Sequence, residues 1–241
     1  MKGVILAGGY GSRLLPLTAV TNKHLLPIYD KPMIHYPIAT LVGAGVTEIM
    51  IVTGGNWAGD FLQLLGNGKK TFGPEVNIHY TYQDGAGGIP AALHYAKDFV
   101  DGDDVCVILG DNVFEPGVTE DFIRSFDSGG RILLKEVDDP HRFGVAVVRG
   151  PKVTHIIEKP KEYISPLAIT GLYCFDRRVW DVIDRLEPSE RGELEVTDLH
   201  LYYLRSGELS FRVCDGWWTD AGTFESLFRA GAYIRDTLRE I

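Results

Sequence analysis

Apolar residues in this chain fall in short unbroken runs, separated by stretches with helical spacing. Val4-Ile5-Leu6-Ala7 reads as a short buried strand, and residues 48–53 as a second one followed by Gly54-Gly55. Residues 105–109, Val-Cys-Val-Ile-Leu, form a continuous apolar run, the mark of a central strand buried on both faces. Pro32 opens a candidate helix through about Ala44, which Gly45 ends. Phe61, Leu62, Leu64 and Leu65 predict a short helix ended by Gly66. Residues 76–83 alternate as a strand does, and after a glycine-rich turn a helix carries Ala92, Leu93, Ala96 and Phe99. This alternation predicts an α/β protein with a mainly parallel sheet and crossover helices. From Arg131 onward, strands at 132–137, 144–148, 153–158 and 168–175 follow in quick succession and suggest a smaller mixed, partly antiparallel lobe. Phe224, Leu227, Phe228, Gly231, Ile234 and Leu238 place a last helix. There are no repeats and no linker that would separate independent domains, so one domain is expected over residues 1–241.

The first strand runs into Gly8, Gly9 and Gly11, and then Arg13. Glycines let a backbone approach a ligand and point bare N–H groups at it, and arginine grips phosphate oxygens. A polyphosphate cradle at the end of a first strand is where open α/β sheets bind nucleotides. The common phosphate loops do not fit. The dinucleotide fingerprint begun at Gly9 needs a glycine where Leu14 stands, and the Walker loop's Gly-Lys-Ser/Thr is absent. The bland alternative is a tight strand-to-helix turn.

Charge narrows the classes. There are 33 acidic against 24 basic residues, net −9, which argues against a nucleic-acid surface. Cys106, Cys174 and Cys214 lie far apart in strand-like contexts with no metal spacing, as expected of buried thiols in a reducing cytoplasm. No signal peptide or membrane-length apolar stretch is evident.

Asp111 follows the central strand through Gly110, beside the cradle, where a carboxylate can hold Mg2+ or cap the next turn. Asp220 precedes the last helix and can join Asp111 at one Mg2+ or cap that helix, a task Thr223 can also perform. Arg13, Lys23, Lys159 and Arg191 sit in motif-like places. Singly each reads as a solvated charge; together they supply two cationic pairs, one for each of two phosphorylated substrates. No Ser-His-Asp or Cys-His arrangement stands out, and His24, His94 and His155 read as ordinary surface or half-buried residues.

Leu6-Ala7-Gly8-Gly9-Tyr10-Gly11-Ser12-Arg13-Leu14 with Lys23 and Leu25-Leu26-Pro27 resembles the signature of sugar-phosphate nucleotidyltransferases. Leu109-Gly110-Asp111-Asn112, Arg142-Phe143-Gly144-Val145, Glu158-Lys159-Pro160, Thr170-Gly171-Leu172-Tyr173 and the segment from Arg191 through Asp198 match in order over essentially the whole chain. The resemblance implies a Rossmann-like nucleotidyltransferase fold, a mostly parallel sheet flanked by helices, with residues 1–130 mainly for the nucleotide and 131–241 mainly for the sugar phosphate. It implies a Mg2+-dependent attack of a sugar-1-phosphate oxygen on the α-phosphorus of a nucleoside triphosphate. Within the family the likeness leans to members that make dTDP-glucose and pyrophosphate from dTTP and glucose-1-phosphate. Carried over by position, Leu6, Ala7, Gly8, Gly9, Gly11, Ser12 and Arg13 hold the triphosphate and Lys23 bridges the reacting phosphates. Gln83 and Gly88 read the base. Asp111 and Asp220 bind the metal. Lys159 and Arg191 hold the sugar phosphate, while Phe143, Gly144, Glu158, Ile169, Thr170 and Trp218 surround the sugar.

Departures from the family pattern also carry expectations. Tyr10 stands where Ser or Thr is usual, His24 replaces Gln, and Pro90-Ala91 replaces an Ala and a polar residue near the base. A methyl is all that separates thymine from uracil, and a pocket discriminates such a group by only about 1–3 kcal/mol. UTP, or another hexose-1-phosphate, is therefore the alternative substrate, and a non-catalytic sugar-nucleotide-binding module the alternative class. The chain carries few residues past the last helix, whereas longer family members carry C-terminal helices that form an effector site, so distal feedback is expected to be missing. A homo-oligomer is compatible with the resemblance.

Overall fold

The computed structural model describes residues 1–239; the last two positions of the expected domain lie outside the described residues. The strands are β1 (Lys2–Ala7), β2 (Pro27–Ile28), β3 (Lys31–Pro32), β4 (Glu48–Gly54), β5 (Asn77–Gln83), β6 (Val105–Leu109), β7 (Asn112–Phe114), β8 (Gly130–Glu136), β9 (Gly144–Arg149), β10 (Lys152–Glu158), β11 (Leu167–Phe175), β12 (Leu209–Val213) and β13 (Trp218–Asp220). The helices are α1 (His35–Gly43), α2 (Ala58–Leu65), α3 (Lys69–Phe72), α4 (Ile89–His94), α5 (Lys97–Val100), α6 (Glu120–Arg124), α7 (Val179–Ile183), α8 (Val196–Arg205) and α9 (Phe224–Arg239).

One large sheet runs β10-β9-β11-β6-β1-β4-β5, with β8 pairing both β11 and β12. Strands β6, β1, β4 and β5 are parallel, with Leu6 opposite both Val52 and Leu109. The expected mixed lobe takes the form of an antiparallel extension of this same sheet, because β11 pairs antiparallel with β6, β8 and β9. The unbroken apolar runs follow from burial on both faces. Along β1, Val4 and Leu6 face one core with Leu93, Val107, Tyr173 and Leu199. Ile5 and Ala7 face the other with Ile38, Leu41, Phe61 and Ile108. All three cysteines are buried and free.

Two expectations about helices change. Pro32 pairs with Pro27 in the short β2–β3 ladder, so the helix starts at His35. The helix expected around 92–99 breaks into α4 and α5. The last helix, α9, docks through Ala230 and Ile234 against Ile28 and Val113. Among the described residues no helix is long and apolar enough to cross a membrane.

Candidate active site

The site is assembled at the C-terminal ends of the parallel strands, where backbone and loops are free of the ladder. After β1 the chain turns through Gly11 at φ 66°, where a Cβ would lie 2.8 Å from the Thr18 methyl and 2.9 Å from Lys23 Cβ. Only glycine lets the loop fold this tightly onto the Lys23 segment. Thr18 Oγ1 donates to the Gly11 carbonyl at 2.9 Å. The Asn22 side chain accepts the His24 N–H at 2.9 Å and caps the turn that carries Lys23.

Lys23 Nζ meets Asp111 Oδ2 at 2.5 Å, with both side chains nearly buried, at 14% and 10% exposure. Burial pushes the Asp111 carboxyl up, but the Lys23 charge and hydrogen bonds from Lys23 and Asn112 together hold it well below the usual carboxylate range. Asp220 lies in β13, paired with Asn112 of β7, and the Ala221 N–H donates to the Asp111 carbonyl at 2.7 Å. Burial and then the Asp111 charge push Asp220 up, against the pull of Arg142, Arg13 and Lys23. Thr223 Oγ1 accepts the Ser226 N–H at 3.2 Å and so caps α9, which leaves Asp220 free of that task. A buried and a half-buried carboxylate close enough to repel suit a hard divalent cation. Among the described residues no cluster of three or more ligating side chains occurs. Phosphate and water oxygens would therefore complete the shell, as Mg2+ commonly prefers.

Two cavities of about 350 and 320 Å3 meet here. The first is walled by Leu6, Gly8, Gly9, Lys23, Gln83 and Gly88, and the second by Phe143, Gly144, Ile169, Thr170, Trp218 and Asp220. Arg13, Asp111, Glu158 and Lys159 line both. Gln83 is buried at the end of β5, and a Cβ on Gly8 would lie 2.6 Å from its Oε1. Trp218 Nε1 donates to Asn112 Oδ1 at 2.8 Å, and that oxygen also accepts the Gly171 N–H at 2.8 Å. Thr170 Oγ1 donates to the Leu133 carbonyl at 2.9 Å, which leaves that hydroxyl only as an acceptor toward a ligand in the second cavity.

The remaining motif residues differ in where they lie. Ala7 is wholly buried in the core, and Gly11 and Ser12 shape the turn without walling either cavity. Arg191 lies on the wall of the first cavity, beside Lys159, and not of the second. Lys159 occupies a left-handed conformation, φ 42°, rare for a side-chain-bearing residue. His24 is buried, where the sequence reading expected a surface or half-buried ring; burial and then the Lys23 charge push it down to about 3, so it is neutral. His94 and His155 are exposed. Sequence reasoning gave no site role to Ile89, Arg142, Val196, Thr197 or His200, all of which wall the second cavity. Arg142, Val196 and Thr197 sit inside matched motifs and could have been found there.

The nucleotidyl transferase family profile matches residues 2–237. The glucose-1-phosphate thymidylyltransferase of Neisseria meningitidis serogroup A is 39% identical over 98% of this chain and 83% of its own length. That of Xanthomonas campestris pv. campestris is 42% identical over 97% of this chain and 80% of its own. A Bacillus anthracis crystal structure in complex with sucrose, provisionally assigned the same activity, superposes with TM-score 0.92 at 48% identity, covering 98% and 96% of the two chains. A UDP-glucose pyrophosphorylase complexed with UDP-glucose shares the fold at TM-score 0.86 and 22% identity, over 98% of each chain.

Proposed function

This chain belongs to the nucleotidyl transferase family and is a nucleotidyltransferase, and from that premise we propose that it makes dTDP-glucose and pyrophosphate from dTTP and glucose-1-phosphate. The observation that carries the reading is the junction of the two cavities along Arg13, Asp111 and Lys159. One cavity takes the nucleotide, the other the sugar, and the phosphates of both meet at the shared wall.

The chemistry follows from those charges. The nucleophile is a sugar-phosphate oxygen that is already anionic, so no side chain has to remove a proton. Attack on the α-phosphorus expels pyrophosphate in line, and catalysis consists of positioning and charge neutralisation. Arg13, on the exposed turn after the cradle, faces the departing pyrophosphate. Lys23, held against Asp111, lies at the reacting centre. Lys159 on the shared wall and Arg191 beside it on the wall of the first cavity receive the sugar phosphate where the two cavities meet, and the carboxylate of Glu158 accepts hydrogen bonds from hydroxyls of the sugar. Asp111 and Asp220 would hold Mg2+, which when bound neutralises phosphate charge as it develops. The soluble substrates suit a cytoplasmic enzyme.

The test is a grid of five nucleoside triphosphates against several hexose-1-phosphates with Mg2+, read by product mass. The expected outcome is fastest turnover with dTTP and glucose-1-phosphate, with UTP slower. ATP or GTP outrunning both pyrimidine nucleotides would overturn the assignment, and no turnover in any cell would favour a binding module.

A further inference from the structure

Arg191 does not stand alone on the cavity wall. Its Nε and Nη2 donate to Glu195, at 3.2 and 2.8 Å to Oε1 and 2.7 Å to Oε2. No acceptor among the described residues bonds Nη1. Glu195 is itself fixed, since Ser189 Oγ donates to its Oε1 at 2.8 Å. The Arg191 N–H returns to Ser189 Oγ at 3.3 Å. The turn closes on its own backbone, with Ser189 N–H donating to Glu193 O at 2.9 Å and Gly192 N–H to Ser189 O at 2.8 Å. It is then tied across the cavity, because the Leu194 N–H donates to the Gly87 carbonyl at 2.9 Å.

Glu195 also stands at the N-cap of α8, yet its side chain makes no capping bond. A carboxylate at that position ordinarily stabilises the helix through its first N–H groups and dipole. Here both oxygens are turned to the guanidinium instead. An arginine in water samples many rotamers, and ordering it for one phosphate costs binding free energy. A partner that spends one edge of the fork and leaves a corner donor unspent removes that cost before the phosphate arrives.

We propose that Glu195 is a positioning residue: it holds the Nε–Nη2 edge of Arg191, with Ser189 behind it, so that Nη1 is presented to the phosphate of the sugar substrate. This rests on the proposed role of Arg191 in binding that phosphate. Glu195 touches no reacting atom in this scheme and acts only through Arg191.

A double-mutant cycle with steady-state kinetics tests it. Glu195→Ala is expected to raise the KM for glucose-1-phosphate about tenfold, with the KM for dTTP changed less than twofold. Glu195→Gln, which keeps the shape and one acceptor, should lose less, and Ser189→Ala less again. On an Arg191→Ala background, Glu195→Ala should add less than twofold. Additive losses, or equal rises in both KM values, would show a general structural role and overturn the proposal. A lowered KM for glucose-1-phosphate in Glu195→Gln would show that the carboxylate competes with phosphate, and would overturn it as well. The Gln variant reads the proposal even if the Ala variant does not fold. If Arg191→Ala alone leaves the KM for glucose-1-phosphate unchanged, it is the assignment of Arg191 that fails.

Discussion

Arg13 and Lys159 line the same junction, yet the charges they meet change differently along the reaction. Charge grows on the departing pyrophosphate, so an interaction there is stronger in the transition state than in the ground state and acts on kcat. The sugar phosphate carries its charge from the start, so a contact to it is felt in KM. Arg13→Ala should therefore lower kcat by roughly 100-fold with little change in either KM. Lys159→Ala should raise the KM for glucose-1-phosphate far more than that for dTTP. Steady-state kinetics with each substrate varied checks both, and the reverse pattern would mean the two subsites are exchanged. These cations stood out in the sequence because Arg13 comes two residues after Gly11 and Lys159 directly before Pro160, each inside a short motif. His24 was not legible. The room for its ring comes from Gly110, where a Cβ would lie 2.7 Å from the imidazole Cδ2, and nothing local to Asn22-Lys23-His24 reports that distant vacancy.

The elements place these residues through a few backbone contacts that tolerate no side chain. Gly88 precedes α4 at φ 88°, and a Cβ there would lie 2.1 Å from the Leu194 carbonyl oxygen. Gly88→Ala thus meets both a backbone clash and a strained conformation, each costing about 1–3 kcal/mol. Because the Leu194 segment also carries Arg191, the variant should raise both KM values and lower the urea midpoint. A variant with wild-type kinetics and stability would show that the two loops are not coupled in this way. Long apolar runs such as 105–109 were readable because burial on both faces leaves a continuous hydrophobic string. The two- and three-residue strands β2, β3, β7 and β13 were not, since a ladder that short has no period. The joining of the antiparallel strands to the parallel ones was also hidden. It depends on pairs such as Leu172 with Ile108, a long-range register that no local pattern encodes.

At the scale of the molecule, His200 on the wall of the second cavity has both ring nitrogens buried and, among the described residues, unpartnered. Burial pushes it down to about 3 from an ordinary value of 6.5, so the fold holds it neutral. A depressed histidine binds its proton more readily in the unfolded chain, so its contribution is intact above about pH 6.5 and is lost as the pH falls toward 3. Between pH 7 and 5 this residue alone should cost the fold about 2 kcal/mol. His200→Phe keeps a ring beside Phe175 and Tyr173 and should be spared that loss. Urea unfolding at the two pH values checks it, and an equal loss in both proteins would mean the ring is protonated in the native state. The shared wall of Arg13, Asp111, Glu158 and Lys159 has its own consequence at this scale. The two substrates each give up translational freedom to enter, whereas the sugar nucleotide spans both chambers as one molecule and gives it up once. Joining the ligands makes the product a tethered, bivalent occupant, whose two halves hold each other at high effective concentration. The geometry that brings the reactants together therefore also slows the departure of what they become.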